Sequence, residues 1–124
     1  MQIKYFIIIM NVNFWGPSGW KFLHTLTFNY PINPTINQKK IYKNYFTLTG
    51  DILPCKYCRV SYKEFIKKIP IDNYLDSRDS LVKWFYLIHN LVNKKLNKRK
   101  ILLKTLIKRY EKYRVNKCKH NTCQ

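Results

Sequence analysis

Alanine is absent from these 124 residues, acidic side chains number six, and the longest uninterrupted apolar run, Tyr5 to Met10, is six residues long. Each shortage excludes something. GC-rich codons encode alanine, whereas AT-rich codons encode Asn, Lys, Ile and Tyr, which together supply 55 positions. Part of the lysine excess therefore reports nucleotide composition, and charge alone is weak evidence for a nucleic-acid partner. Against the six acidic residues stand 24 Lys and Arg, a formal net charge of +18. Such a field attracts polyanions without regard to sequence and loses them as salt rises. Nothing in the chain resembles a base-reading motif, so no specific nucleic acid is expected. Six apolar residues are too few to span a bilayer and shorter than a signal-peptide core, and no small-residue cleavage site follows them. The expectation is a soluble intracellular chain with no membrane partner, begun at Met1 or at Met10. Strand-like alternation and internal repeats are also missing, which leaves helices as the building material.

Apolar bulk is plentiful. Hydrophobic residues make 46% of the chain and aromatic ones 16%, enough for a domain of this length to bury a core and escape disorder. Helical spacing occurs five times, so the fold class is all-α. A first helix opens at Gly16-Pro17, with Trp20, Leu23, His24, Thr27 and Phe28 on one face, and stops at Tyr30-Pro31. Ile41, Tyr45, Leu48 and Ile52 form the apolar stripe of a second, which Gly50 frays. Pro54 opens a third at or near Cys55, carrying Cys55, Cys58, Tyr62, Phe65 and Ile69 on one side up to Pro70. After a loop from Ile71 to Asp76, Ser77 caps a fourth whose stripe is Leu81, Trp84, Phe85, Ile88, Val92 and Leu96, with Asp79 well placed in its first turn. A basic turn leads to a short fifth helix with Leu103, Leu106, Ile107 and Tyr110. The chain divides into an N-terminal extension (1–13), a helical domain (14–115) and a flexible basic tail (116–124).

In an intracellular protein four cysteines point to redox or metal chemistry rather than to structural disulfides. Cys55-Lys56-Tyr57-Cys58 places a CxxC on the first turn of a helix, where free N–H groups, the helix dipole, Lys56 and Arg59 all favour a thiolate. Alone, the motif suits redox exchange and zinc ligation equally well. Zinc would need Cys118 and Cys123, with His120 in reserve. About 60 residues separate the two pairs, far more than in a compact zinc ribbon, so no metal is assigned. Taken singly, Trp20, Trp84, Phe28 and Tyr110 read as core aromatics, His24 as a satisfied half-buried histidine, and Lys94, Lys95, Lys98, Arg99 and Lys100 as a solvated turn.

Together the motifs say more. Trp15-Gly16-Pro17-Ser18-Gly19-Trp20 with Leu23-His24, then Pro54-Cys55-Lys56-Tyr57-Cys58, then His89-Asn90-Leu91-Val92-Asn93 with Leu96, resemble in order and spacing the Erv/ALR family of FAD-linked sulfhydryl oxidases. The resemblance covers roughly Trp15 to Tyr113, and the small, basic, alanine-free chain is most similar to members from large DNA viruses. It implies a four-helix bundle plus a short fifth helix, with FAD held in the bundle. Trp15, Gly16, Trp20, His24 and Phe28 match the first-helix contacts to the flavin. His89, Val92, Asn93, Lys95 and Leu96 match the fourth-helix face, and Tyr110 matches an aromatic residue that closes the site. The disulfide that staples the second-helix region in cellular members has no cysteines here.

The resemblance further implies an enzyme that makes disulfides in protein dithiols and passes the electrons to molecular oxygen, giving hydrogen peroxide. Cys55 would exchange with substrate and Cys58 would lie beside the flavin. Cys118 and Cys123 match a shuttle dithiol on a mobile arm. A homodimer, and host cytoplasm or a virion as location, follow by the same route. The rival is a basic helical nucleic-acid-binding module with a structural zinc, which explains the charge and leaves the motif set unexplained.

Overall fold

A computed structural model describes residues 10–115, and every regular element among them is helical. The helices are α1 (Val12–Phe28), α2 (Ile36–Ile52), α3 (Lys56–Lys68), α4 (Arg78–Lys95) and α5 (Leu103–Glu111), with a single 3-10 turn at Ile71–Tyr74. Residues 1–9 of the expected extension and 116–124 of the expected tail, with Cys118, His120 and Cys123, lie outside the described residues.

Caps explain the helix starts. Asn11 Oδ1 accepts the Asn13 N–H at 2.9 Å, so α1 begins at Val12, a turn ahead of the expected Gly16-Pro17. Pro17 lies inside the helix, where it removes one intrahelical bond. The carbonyl this frees belongs to Asn13, which is exposed to water. Thr35 and Gln38 form a reciprocal capping box, which starts α2 five residues before the first apolar residue of the expected stripe. Ser77 caps α4 as expected, its Oγ accepting the Ser80 N–H at 3.1 Å. The expected loop after Pro70 contains the 3-10 turn, because Ile71 and Leu75 both find burial there.

The second helix corrects the sequence reading. Ile41, Tyr45, Leu48 and Ile52 are all exposed, while Phe46, Thr49 and Gly50 are buried and Tyr42 packs on the core. Two adjacent stripes on α2 carry apolar or aromatic residues, and Gly50 selects between them. A Cβ there would lie 3.0 Å from Tyr62 Cδ1 and 3.1 Å from Lys63 Cγ, so glycine lets α3 approach closely rather than fraying the helix.

Helix α4 is the shared partner, packing on α1, α3, α5 and the 3-10 turn, while α2 packs on α3. Tyr30, Phe46, Tyr62, Leu81, Trp84, Phe85 and Ile88 fill the main core. A smaller cluster of Phe28, Val82 and Leu106 seats α5. Each buried tyrosine and tryptophan spends its polar atom on a neighbouring carbonyl: Tyr30 Oη on Leu75, Tyr62 Oη on Phe46 and Trp84 Nε1 on Ile69, at 2.6, 2.6 and 2.8 Å. The amide of Asn90 exchanges two bonds with the backbone of Ile101, at 3.0 and 2.9 Å. That clamp fixes the turn after α4, in which Asn97 takes the left-handed conformation at φ 55°.

Candidate active site

Cys55 is the N-cap of α3, and its Sγ accepts the Cys58 backbone N–H at 3.3 Å. Burial, followed by a hydrogen bond to Cys55, pushes the Cys58 thiol up to about 12. The expectation that the helix start favours a thiolate is corrected for Cys58, where desolvation is the largest influence. Cys55 is buried and Cys58 half-buried.

Cys58 lines a cavity of about 570 Å³ walled on one side by α1, through Trp15, Gly16 and Trp20, and on another by α4, through Val92, Lys95 and Leu96. Lys95 Nζ donates to Ser61 Oγ in the same wall at 2.5 Å. A second, larger cavity of about 1220 Å³ adjoins it, sharing Pro17 and Trp20. His24, Phe28, His89 and Tyr110 line this second space, together with the cations Lys21 and Arg109. Its wall is a run of rings. Trp20 stacks on His89 at 3.6 Å and 3°, Phe28 stacks on Tyr110 at 4.9 Å and 11°, and His24 lies between the two pairs.

The two histidines meet at 2.8 Å, His24 Nε2 to His89 Nδ1. Burial first, then the charges of His89 and Arg109, lowers His24 to about 3. Burial, then Lys98 and Arg109, lowers His89 to about 4. Both are neutral at pH 7, one ring donating to the other. His24 Nδ1 is buried with no partner among the described residues, a polar atom left for a bound group to satisfy.

Of the eleven cofactor-contact residues expected from sequence, ten line one cavity or the other. Asn93 does not. It is buried, and its Nδ2 faces Asn90 Oδ1 at 3.4 Å, so within the fold it buttresses the Asn90 clamp. Arg109 was missed. In sequence it is one more cation in a basic stretch, and only the fold brings it to the histidine pair. The cavities suit a flat ring system with an anionic arm, and no group of three metal-ligating side chains occurs among the described residues. Nor, among them, is any helix long and apolar enough to cross a membrane.

Fold and site together define a small helical protein in which one cysteine of a CxxC pair lines a cavity that adjoins a ring-walled one. The profile of the Erv1/Alr family matches residues 17–114. A probable FAD-linked sulfhydryl oxidase of Acanthamoeba polyphaga mimivirus is 40% identical over 99 residues, covering 79% of this chain and 69% of that protein. The mitochondrial FAD-linked sulfhydryl oxidase ERV1 of Saccharomyces cerevisiae is 35% identical over 68% of this chain, but only 44% of that protein is spanned. Among solved structures, the yeast Erv1 core superposes with a TM-score of 0.78 at 30% identity, covering 93% of this chain and 94% of that one. The FAD binding domain of Erv1 from Saccharomyces cerevisiae gives the same TM-score at 33% identity over 83% and 96% of the two chains. The chain belongs to the Erv1/Alr family.

Proposed function

We propose that this protein is an FAD-dependent thiol oxidase that forms disulfides in protein dithiols and passes the electrons to oxygen. FAD is its cofactor, and its class is that of the sulfhydryl oxidases it matches. The observation that carries the reading is the position of Cys58 in the wall of the cavity that adjoins the ring-lined one. The residues fit the cofactor. Trp20, His89, His24, Tyr110 and Phe28 offer stacking faces, the orphaned His24 Nδ1 offers a polar contact, and Lys21, Lys95, Lys98 and Arg109 offset a diphosphate.

The exchange step belongs to the two cysteines. A substrate thiolate attacks Cys55 Sγ of a Cys55–Cys58 disulfide, the S–S bond breaks, and Cys58 departs as a thiolate. The second substrate thiolate attacks its own sulfur in the mixed disulfide and expels Cys55. The substrate loses two electrons and the pair gains them. The Cys58 N–H at Cys55 Sγ steadies the second leaving group. With Cys58 pushed up to about 12, the reduced pair holds a proton there, which must depart as the pair is reoxidised. When bound, FAD supplies the two-electron acceptor for that reoxidation and gives the electrons to oxygen, yielding hydrogen peroxide.

A homodimer completes the reading, supported by the apolar face of α2, whose Ile41, Tyr45, Leu48 and Ile52 are exposed side by side. Purified protein run on a sizing column should elute yellow at twice 15.2 kDa and release free FAD on unfolding. A colourless folded protein that takes up no added FAD sinks the oxidase reading, and a yellow monomer sinks the dimer alone. Similarity to viral relatives supports a location in host cytoplasm or virion, which fractionation of infected cells tests. Cys118 and Cys123, outside the described residues, are proposed as a shuttle dithiol. Changing both to Ser should slow oxidation of a folded protein dithiol at least about tenfold more than oxidation of dithiothreitol, because the small reagent reaches Cys55 directly. Equal slowing of the two removes the shuttle.

A further inference from the structure

The rim of the Cys58 cavity carries more positive charge than its own side chains balance. Lys56, Lys95 and Lys98 line it and are all exposed, and among the described residues neither cavity has a carboxylate in its wall. Four of the six acidic residues are paired elsewhere: Asp76 with Lys39, Asp72 with Lys43, Asp51 with Lys63 and Glu111 with Arg114; Glu64 and Asp79 line neither cavity. A diphosphate accounts for part of the excess. It does not account for Lys56, which stands between the two cysteines on the exposed first turn of α3. The same rim is apolar as well as cationic, with Tyr57 76%, Leu96 52% and Val60 49% exposed. Large apolar side chains beside a reactive pair, with unneutralised cations between them, form a surface for a partner that is acidic and partly apolar.

From this the geometry points to a substrate class: the protein dithiols that this enzyme oxidises present their cysteines in a segment with acidic side chains next to them and an apolar one that rests on Tyr57. The inference builds on the oxidase reading above. Cys55 is buried, so a segment that exchanges with it directly, and not by way of Cys118 and Cys123, reaches it over the Lys56-Tyr57 turn and meets that charge and that ring first. Steering of an anionic segment to a cationic mouth raises the rate of productive encounter. It acts a second time on the chemistry. Flanking carboxylates hold a thiol protonated in solution, and the lysines offset this at the mouth, where the thiolate is the attacking species.

The test compares two synthetic dithiol peptides of equal length and equal apolar content, one with three Glu and one with three Lys flanking the cysteines. Oxygen uptake is followed with the flavin-loaded protein, and the readout is the ratio of their kcat/KM values, so that any general change in catalysis cancels. Turnover of dithiothreitol, which is uncharged, reports the oxidase reading separately; its absence would mean that reading has failed, whatever the peptides do. In low salt the acidic peptide should be favoured at least about tenfold, falling to less than about threefold in half-molar salt as screening sets in. Lys56→Glu should cut the low-salt ratio at least about threefold. Lys67→Glu, the same charge change at the far end of α3 and about 16 Å away along the helix, should leave the ratio within about a factor of 1.5 at about 0.1 M salt, where the Debye length is about 10 Å and Lys56→Glu still lowers it. A ratio near one, a ratio indifferent to salt, or equal effects of the two substitutions would overturn the inference, the last by showing that net charge and not the rim selects.

Discussion

Replacing Cys58 by serine should bring oxygen consumption with dithiothreitol down to the rate of the buffer, a loss of at least about a thousandfold, while the protein stays folded and keeps its flavin. Of the two described cysteines, Cys58 and not Cys55 lines the cavities described above. Serine is nearly the same size, so packing around Ser61 and Tyr62 is spared, and a hydroxyl forms no disulfide with Cys55. The whole effect should fall on turnover. Helical circular dichroism and the flavin absorption band, both unchanged, serve as controls. Oxygen consumption equal to that of the parent would show that electrons leave the chain by a path not involving this sulfur.

The second large effect is a loss of stability in mild acid. His24 at about 3 and His89 at about 4 both lie below the ordinary histidine value of 6.5, so the unfolded chain binds more protons than the folded one as pH falls. Stability is therefore full above pH 6.5 and declines as the pH approaches the lowered values. At pH 4.5 the loss from His24 alone is about 3 kcal/mol, with a smaller share from the more exposed His89. For a chain this short that corresponds to a fall in Tm of roughly 10 °C. Carboxylates do not confuse the result. Asp72 and Glu111 are lowered chiefly by hydrogen bonds to Lys43 and Arg114, so the stability they contribute is lost as pH falls below their ordinary values of 3.8 and 4.5, at or under the floor of this window. His24→Gln should flatten the slope between pH 6.5 and 4.5. A parent Tm that does not move across that interval would remove the buried neutral pair.

How much of this could be read from sequence depended on the element. The caps and stripes of α3 and α4 were legible because Cys55, Tyr62, Trp84 and Ile88 all sit on faces that the packing uses. On α2 the same logic chose the wrong stripe, since periodicity shows where apolar residues line up and not which neighbouring helix will touch them. Gly50 held the missing information, but a glycine shows as a close approach only once Tyr62 is placed across from it. The site was legible as a set of motifs and not as an electrostatic object. Spacing put His24 and His89 on separate helices; that they share one proton at 2.8 Å, under the influence of Arg109, is a product of folding. The different placement of Cys55 and Cys58 was equally invisible: both stand at the start of the same helix, yet only Cys58 lines the cavity.

Helices α1 and α3 face each other across the Cys58 cavity, with Trp15, Gly16 and Trp20 on one side and Cys58 and Ser61 on the other. Whatever occupies that space is a structural member of the protein as well as a reagent. Its binding free energy adds to that of folding and grows with the logarithm of its concentration. The melting temperature of this protein is therefore a property of two components. In a cell the quantity of active chain will follow the supply of the occupant as well as the rate of synthesis, since chains folded before loading lack that share of stability and are unfolded for a larger fraction of the time.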